Sequence, residues 1–342
     1  MTSEVARLYE AFPFPSPEPD SGLIDVVARE MPLVLSDSSL DGRRVLDAGC
    51  GTGHTLVALA LRHPEARFTG MDACRRSLGV ARHLAERHGA TNVDFVHGTM
   101  PHLGLTDRFD LIICFGVLHH LPDPRAGLSW LTEHLNTDGL LHLWLYNALG
   151  EHGRMLDREL VQLLAPPGGP AAGLETVRKL GLTLPLAEYG FPSGWNGSAL
   201  SRAEQDVFDA DAYVNPVVRP MRFGDMPRLF DGLGMDWLAA DRVYFPGGVK
   251  FIDLDGIEPD NDLYVRPESL IGDAALRVRL AALGSLDRVR ALELRLRPTG
   301  FRVLAGRGAS LDRCVPRIKG NLLPLPGRTP ADMRAGHRDE VR

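Results

Sequence analysis

The sequence predicts an α/β fold: a doubly wound, mostly parallel sheet with a helical insertion after the fifth strand. Three observations carry this. Short apolar segments alternate with amphipathic helical ones from residue 44 to residue 146. The strand segments are apolar almost throughout, as expected of a sheet covered on both faces. A glycine-rich turn joins the first strand to the first helix.

Each element follows from its pattern. Residues 45–47 form a short apolar strand, and Leu56, Val57, Leu59, Ala60 and Leu61 mark the helix after the turn. Residues 67–71 are the second strand, and Leu78, Ala81, Leu84 and Ala85 share one face of a helix over 74–88. Residues 93–96 and 109–115 are the third and fourth strands, 124–135 a helix, and 140–146 the fifth strand. Residues 1–40 read as an N-terminal helical arm or lid, which Pro13, Pro15 and Pro17 prevent from running as one helix. The core is assigned to 41–150. Residues 151–215 read as a helical insertion broken by Pro166-Pro167-Gly168-Gly169-Pro170, with a capping box at Ser201 and Glu204. Residues 216–260 complete the sheet, with a helix over 224–232 and strands over 235–239, 243–245 and 249–254. Residues 261–342 read as a C-terminal helical extension, with a helical rhythm over 275–296, and a frayed tail.

Composition excludes several classes. The net charge of -6 argues against nucleic acid as a partner. No apolar run is long enough to span a membrane, and the polar first ten residues lack the apolar centre of a signal peptide. The four cysteines are scattered, so neither disulfides nor metal ligation is expected, and a reduced, cytoplasmic protein is. Arginine outnumbers lysine heavily, as in GC-rich bacterial coding sequences. The arginine-rich face of 275–296 reads as solvated or as a subunit contact, which leaves a homodimer open.

The turn itself reads Val45-Leu46-Asp47-Ala48-Gly49-Cys50-Gly51-Thr52-Gly53. Glycines let backbone N–H groups come close to a ligand because no Cβ intervenes. A dinucleotide fingerprint would need its third glycine at position 54, where His54 stands. Asp47 is ill placed beside a pyrophosphate and suits a cation, such as the amino group of a methionine moiety. Asp72 ends the second strand, 19 residues after Gly53, where a doubly wound fold holds a ribose hydroxyl pair. These residues describe a site for a zwitterion without phosphates, and they count against a nicotinamide-dependent oxidoreductase.

The stretch resembles motif I of the class I (Rossmann-like) methyltransferases that use S-adenosylmethionine (SAM) and release S-adenosyl-L-homocysteine (SAH). Asp72 is similar to their ribose-binding acid. Phe109-Asp110-Leu111-Ile112-Ile113-Cys114-Phe115-Gly116-Val117-Leu118-His119-His120-Leu121-Pro122-Asp123 resembles their motif IV and the segment after it. The resemblance covers residues 44–147 and implies a class I fold and SAM as cofactor. It implies cofactor contacts from Asp47, Gly49, Cys50, Gly51, Gly53, Asp72, Ala73, Gly98, Thr99, Met100 and Phe115. Thr99 stands where the family usually has an aspartate on the adenine amino group, so that contact departs from the pattern.

Methyl transfer needs mainly alignment of nucleophile, methyl and leaving sulfur. A base is needed only when the nucleophile holds a proton, so the acceptor half of such a site leaves a faint trace in sequence. His120, and after it His119, are the candidate catalytic residues, because histidine titrates near neutral pH. The other reading of His120 is a backbone hydrogen bond before Pro122. Tyr9, Phe14, Tyr146, Tyr189 and Trp195 are the candidate acceptor contacts. The implied reaction is methylation of an N, O or C nucleophile of a small or medium organic molecule. Modification of RNA or protein, and an inactive SAM-binding scaffold, are the alternatives.

Overall fold

The computed structural model describes residues 3–18, 34–36, 39–185, 201–245 and 248–335. Five parallel strands carry the first half: β1 (Arg44–Ala48), β2 (Arg67–Asp72), β3 (Val93–His97), β4 (Phe109–Phe115) and β5 (Leu135–Tyr146). They lie in the order β3-β2-β1-β4-β5, so the chain reverses direction across the sheet between β1 and β4. Ligands of doubly wound folds sit outside the carboxyl ends of strands at such a reversal. Ile112 and Ile113 point to opposite faces, and both are fully buried. The same holds along β5, so helices cover both faces: α2 (His54–Arg62), α3 (Arg75–His88) and α4 (Pro124–Glu133) in this half.

A helix α1 (Ser3–Ala11) precedes the sheet. After β5 come α5 (His152–Leu164), α6 (Pro170–Lys179) and α7 (Arg202–Tyr213). The capping box is present: Ser201 Oγ accepts from the Glu204 N–H at 3.2 Å, and the Glu204 carboxylate accepts from the Ser201 N–H at 2.9 Å. Leu8 of α1 packs with Val161, Leu174, Val177 and Ala210, so the arm and these helices share a small core. A short 3-10 turn (Phe223–Asp225) and α8 (Met226–Leu229) stand where one helix over 224–232 was expected.

The sheet then continues with β6 (Trp237–Phe245), β7 (Gly248–Ile252) and β8 (Tyr264–Val265). β6 is one strand where two were expected, with a register shift between Ala240 and Arg242. The helical rhythm over 275–296 is carried by two helices, α9 (Ala274–Ala281) and α10 (Ser285–Leu296), separated at Gly284.

The larger correction concerns 261–342, expected to be helical. It contributes β9 (Gly300–Gly306), a central strand that pairs antiparallel with both β5 and β6. All seven of its residues are buried. Its sequence hid it, because it begins and ends on glycine. Packing explains the first of these: a Cβ on Gly300 would press on the Trp144 indole at 3.0 Å. Past α11 (Pro316–Gly320), β10 (Leu322–Leu323) pairs with β6, and α12 (Pro330–Ala335) follows, so the described part of the expected frayed tail carries regular elements.

Candidate active site

At the carboxyl ends of β1, β2, β4 and β5 lies a cavity of about 790 Å³, counting the part open to solvent. One side is the glycine-rich turn. Gly51 has φ +54°, and a Cβ there would collide with the Phe14 carbonyl oxygen. The arm thus lies directly on the turn, and the Thr52 N–H and hydroxyl donate to that same carbonyl at 3.0 and 3.2 Å. The Asp72 carboxylate ties the turn to β2: it accepts from Gly51 N–H at 2.9 Å and from Cys74 N–H at 2.8 Å. Burial pushes the Asp72 pKa up, and these N–H groups oppose the rise. A carboxylate has about four lone-pair sites, so these bonds leave room for another.

The other end is polar and is assembled from four distant segments. Gly116 follows β4 at φ +76° and hands the chain to a 3-10 turn, Leu118–His120. Successive side chains of such a turn diverge by about 120°, so the adjacent histidines part. His120 faces the cavity, 3% exposed, with Nδ1 2.8 Å from the Val217 carbonyl oxygen. Its Nε2 stands 3.7 Å from Asp211 Oδ1. Asp211 accepts from the Tyr9 hydroxyl at 2.7 Å and from the Tyr146 hydroxyl at 2.9 Å. Asn215 Nδ2 donates to the Tyr9 oxygen at 3.0 Å. Arg158 of α5 donates to the carbonyls of Ala212 and Asn215 and so fixes the end of α7 that carries Asp211.

Burial lowers the His120 pKa although Asp211 pulls it up, so the imidazole is neutral near pH 7. Burial works against the charge of Asp211, but His120 and the hydroxyls of Tyr9 and Tyr146 hold it below its ordinary range. Burial first, and then Asp211, raises both tyrosines, which keep their protons.

The lining brings together most of the residues expected from sequence: Gly49, Gly51, Asp72, Ala73, Gly98, Thr99, Met100 and Phe115, with Tyr9, Phe14, His120 and Tyr146. Others stand behind it. Asp47 is 4% exposed, and burial, then Asp72, raises its pKa to about 7. The Cys50 side chain is buried against Gly70, and Gly53 packs on Ala81 of α3. His119 is fully buried off the lining, stacked on Tyr146 at 4.1 Å, and its Nδ1 accepts from the Tyr146 N–H at 3.3 Å. With its pKa far below the ordinary value through burial, it packs the wall behind Tyr146. Tyr189 and Trp195 lie outside the described residues. Sequence reasoning missed Asp211 and Trp144. A carboxylate in the run Val207-Phe208-Asp209-Ala210-Asp211-Ala212 was a signal, since burying one is costly. Asp209 carries the same signal and only accepts from Leu184 N–H and its neighbours.

A model of a methyltransferase domain matches residues 39–163. An uncharacterized protein of Synechococcus sp. is 31% identical over 322 residues, covering 90% of this chain and 72% of its own length. The chain belongs to the class I SAM-dependent methyltransferases. A ubiquinone biosynthesis O-methyltransferase of Aromatoleum aromaticum is 28% identical over 194 residues, half of this chain and 81% of that one. The solved structure of PKMT2 from Rickettsia typhi shares the fold, with a TM-score of 0.57 at 15% identity over 90% of this chain; the chain spans 55% of that one. The methyltransferase's cofactor is SAM, and the lining fits it: the backbone of Gly49 and Gly51 lines the cavity beside the buried carboxylate of Asp72. Among the described residues no helix is long and apolar enough to cross a membrane.

Proposed function

We propose that this methyltransferase acts on a nitrogen, oxygen or carbon nucleophile of a small or medium organic molecule, received at the end of the cavity lined by Tyr9, His120, Tyr146 and Asp211. The observation that carries this is that this polar end and the glycine-rich turn face one cavity. SAM supplies an electrophilic methyl group on a sulfonium. The backbone of Gly49 and Gly51 holds its methionine part, and Asp47 acts on the amino group through its field. Asp72 takes the ribose hydroxyls, and Ala73, Gly98, Thr99, Met100 and Phe115 surround the rest. His120 holds or removes the nucleophile's proton at Nε2, the nitrogen that the Val217 carbonyl leaves free. The insertion, 151–215, supplies Asp211 to the acceptor pocket, and the arm serves as a lid over the turn. An inactive scaffold would have no use for a proton acceptor held in one tautomer, and a net charge of -6 speaks against RNA.

The test is incubation with SAM and a panel of small organic molecules, with total RNA and a protein lysate in parallel, followed by mass spectrometry. Methylated small molecules are the expected result. Methyl groups entering only RNA or protein would overturn the reading.

A further inference from the structure

The protons at the polar end of the cavity can be counted. The Val217 carbonyl can only accept, so His120 Nδ1 carries the hydrogen of their 2.8 Å bond and Nε2 presents a lone pair. Asp211, ionised, is acceptor-only. It takes the single hydroxyl proton of Tyr9 and a longer bond from Asn215 Nδ2 (3.4 Å) at Oδ1, and the hydroxyl proton of Tyr146 at Oδ2. The Tyr9 oxygen accepts in turn from Asn215, whose amide is oriented by the Val217 N–H on its Oδ1 at 3.3 Å. The side chains of Tyr9, His120, Tyr146 and Asp211 therefore have no proton left to offer a ligand. His120 Nε2 and Asp211 Oδ1 face each other at 3.7 Å as two acceptors. A hydroxyl has one proton and can satisfy only one of them, whereas an ammonium can bridge both. The rings of Tyr9 and Trp144 line the same cavity and also favour a cation.

We infer that the methyl acceptor is an amine, bound as its ammonium between His120 Nε2 and Asp211. This rests on the reading above that this end receives the acceptor. The ammonium gives one proton to Nε2, which frees the nitrogen lone pair. That pair forms the N–C bond to the methyl group as the S–C bond breaks, and the broken pair stays on sulfur as a neutral thioether. The positive charge lost by sulfur moves to the methylated nitrogen beside Asp211, and His120 later returns its proton to solvent.

Calorimetry on the enzyme–SAH complex with matched pairs tests this: 2-phenylethylamine against 2-phenylethanol, and hexylamine against hexanol. Each amine is expected to bind about tenfold tighter than its alcohol or better, as a charge-assisted hydrogen bond predicts. Asp211→Asn should abolish that preference and leave the SAH affinity within about threefold. No amine binding tighter than its alcohol would overturn the proposal on the wild-type protein alone, even if the variant did not fold. So would Asp211→Asn weakening SAH as steeply as the amines, because the cation held there would then be the cofactor's own ammonium. A wild-type protein that binds no SAH would instead strike the cofactor placement itself.

Discussion

Residues 45–72 build the glycine-rich turn and the acid of the proposed cofactor side within one β-α-β unit, whereas the polar end takes residues 9, 120, 146 and 211 from four separate segments. On the first side the geometry is local. A strand ends, glycines turn the chain, and Asp72, on the neighbouring strand, binds the Gly51 N–H. On the second side no residue is in place until a 3-10 turn, a strand end, α1 and α7 have all docked. A site made by nearby residues is written as a motif. A site made by docking is written only as scattered polar residues in apolar surroundings, each with several readings. The cofactor is common to the family and the acceptor is not, so the local side is also the shared one.

Four outcomes would break or sharpen this contrast. The largest effect is expected at the docked end. His120→Ala should cut turnover by about 10²–10⁴, the usual worth of general-base help, while SAH affinity measured by calorimetry stays nearly unchanged. Turnover within a few-fold of the parent would make His120 structural and leave proton removal to Asp211 or to the acceptor's own acidity. Next comes the local side: Asp72→Ala should weaken SAH binding about fivefold to a hundredfold, for about 1–3 kcal/mol of lost charge-assisted bonding. An unchanged affinity would mean that Asp72 only ties Gly51 and Cys74.

Where the two sides touch, Gly51→Ala should cost about 1–2 kcal/mol, the penalty of a left-handed backbone for a residue with a Cβ. That Cβ would also push the Phe14 carbonyl off the turn. The expected signature is a lower melting temperature together with faster proteolysis within residues 3–18. If the arm is cleaved no faster, it does not depend on the turn.

The smallest effect is in pH. Burial and Asp72 raise Asp47 to about 7, so it is mostly protonated at pH 6 and ionised at pH 8. A bound ammonium favours the carboxylate, so SAM affinity should rise with pH and level off above about 7, by up to tenfold per pH unit below it. Stability of the free protein runs the other way. The native state holds a proton that the unfolded chain releases near 3.8, so this contribution is lost as pH rises from there through about 7. Asp47→Asn should flatten both profiles. A SAM affinity independent of pH in the parent would detach Asp47 from the cofactor.

How much was legible follows from the same contrast. The strands β1 to β4 and the loop between β1 and α2 stand where their apolar runs and glycines placed them, and β5 begins at Leu135, earlier than its apolar run at 140–146. Gly53 and Cys50 were read as cofactor contacts because they belong to the motif, but the motif also contains packing residues. Gly53 sits against Ala81, and Cys50 turns under the sheet against Gly70. His119 and His120 could not be told apart by position, because the turn that separates them is set by the left-handed backbone of Gly116, φ +76°. β9 was missed for a related reason. Arg302 looks wrong for a central strand until the Phe115 ring, 4.1 Å below its guanidinium carbon, is in place.

The sequence by itself determined the parallel half of the sheet, the glycine-rich turn and the acid that closes it, because strand period, apolar runs and glycine freedom act over a few residues. Tertiary structure alone decided the rest. It threaded β9 between β5 and β6, turned one histidine into the cavity and the other into the wall, and carried Asp211 on α7 to meet Tyr9 and Tyr146. Those choices depend on which buried polar groups find partners across long sequence distances, and a buried carboxylate is tolerable only once its donors have arrived.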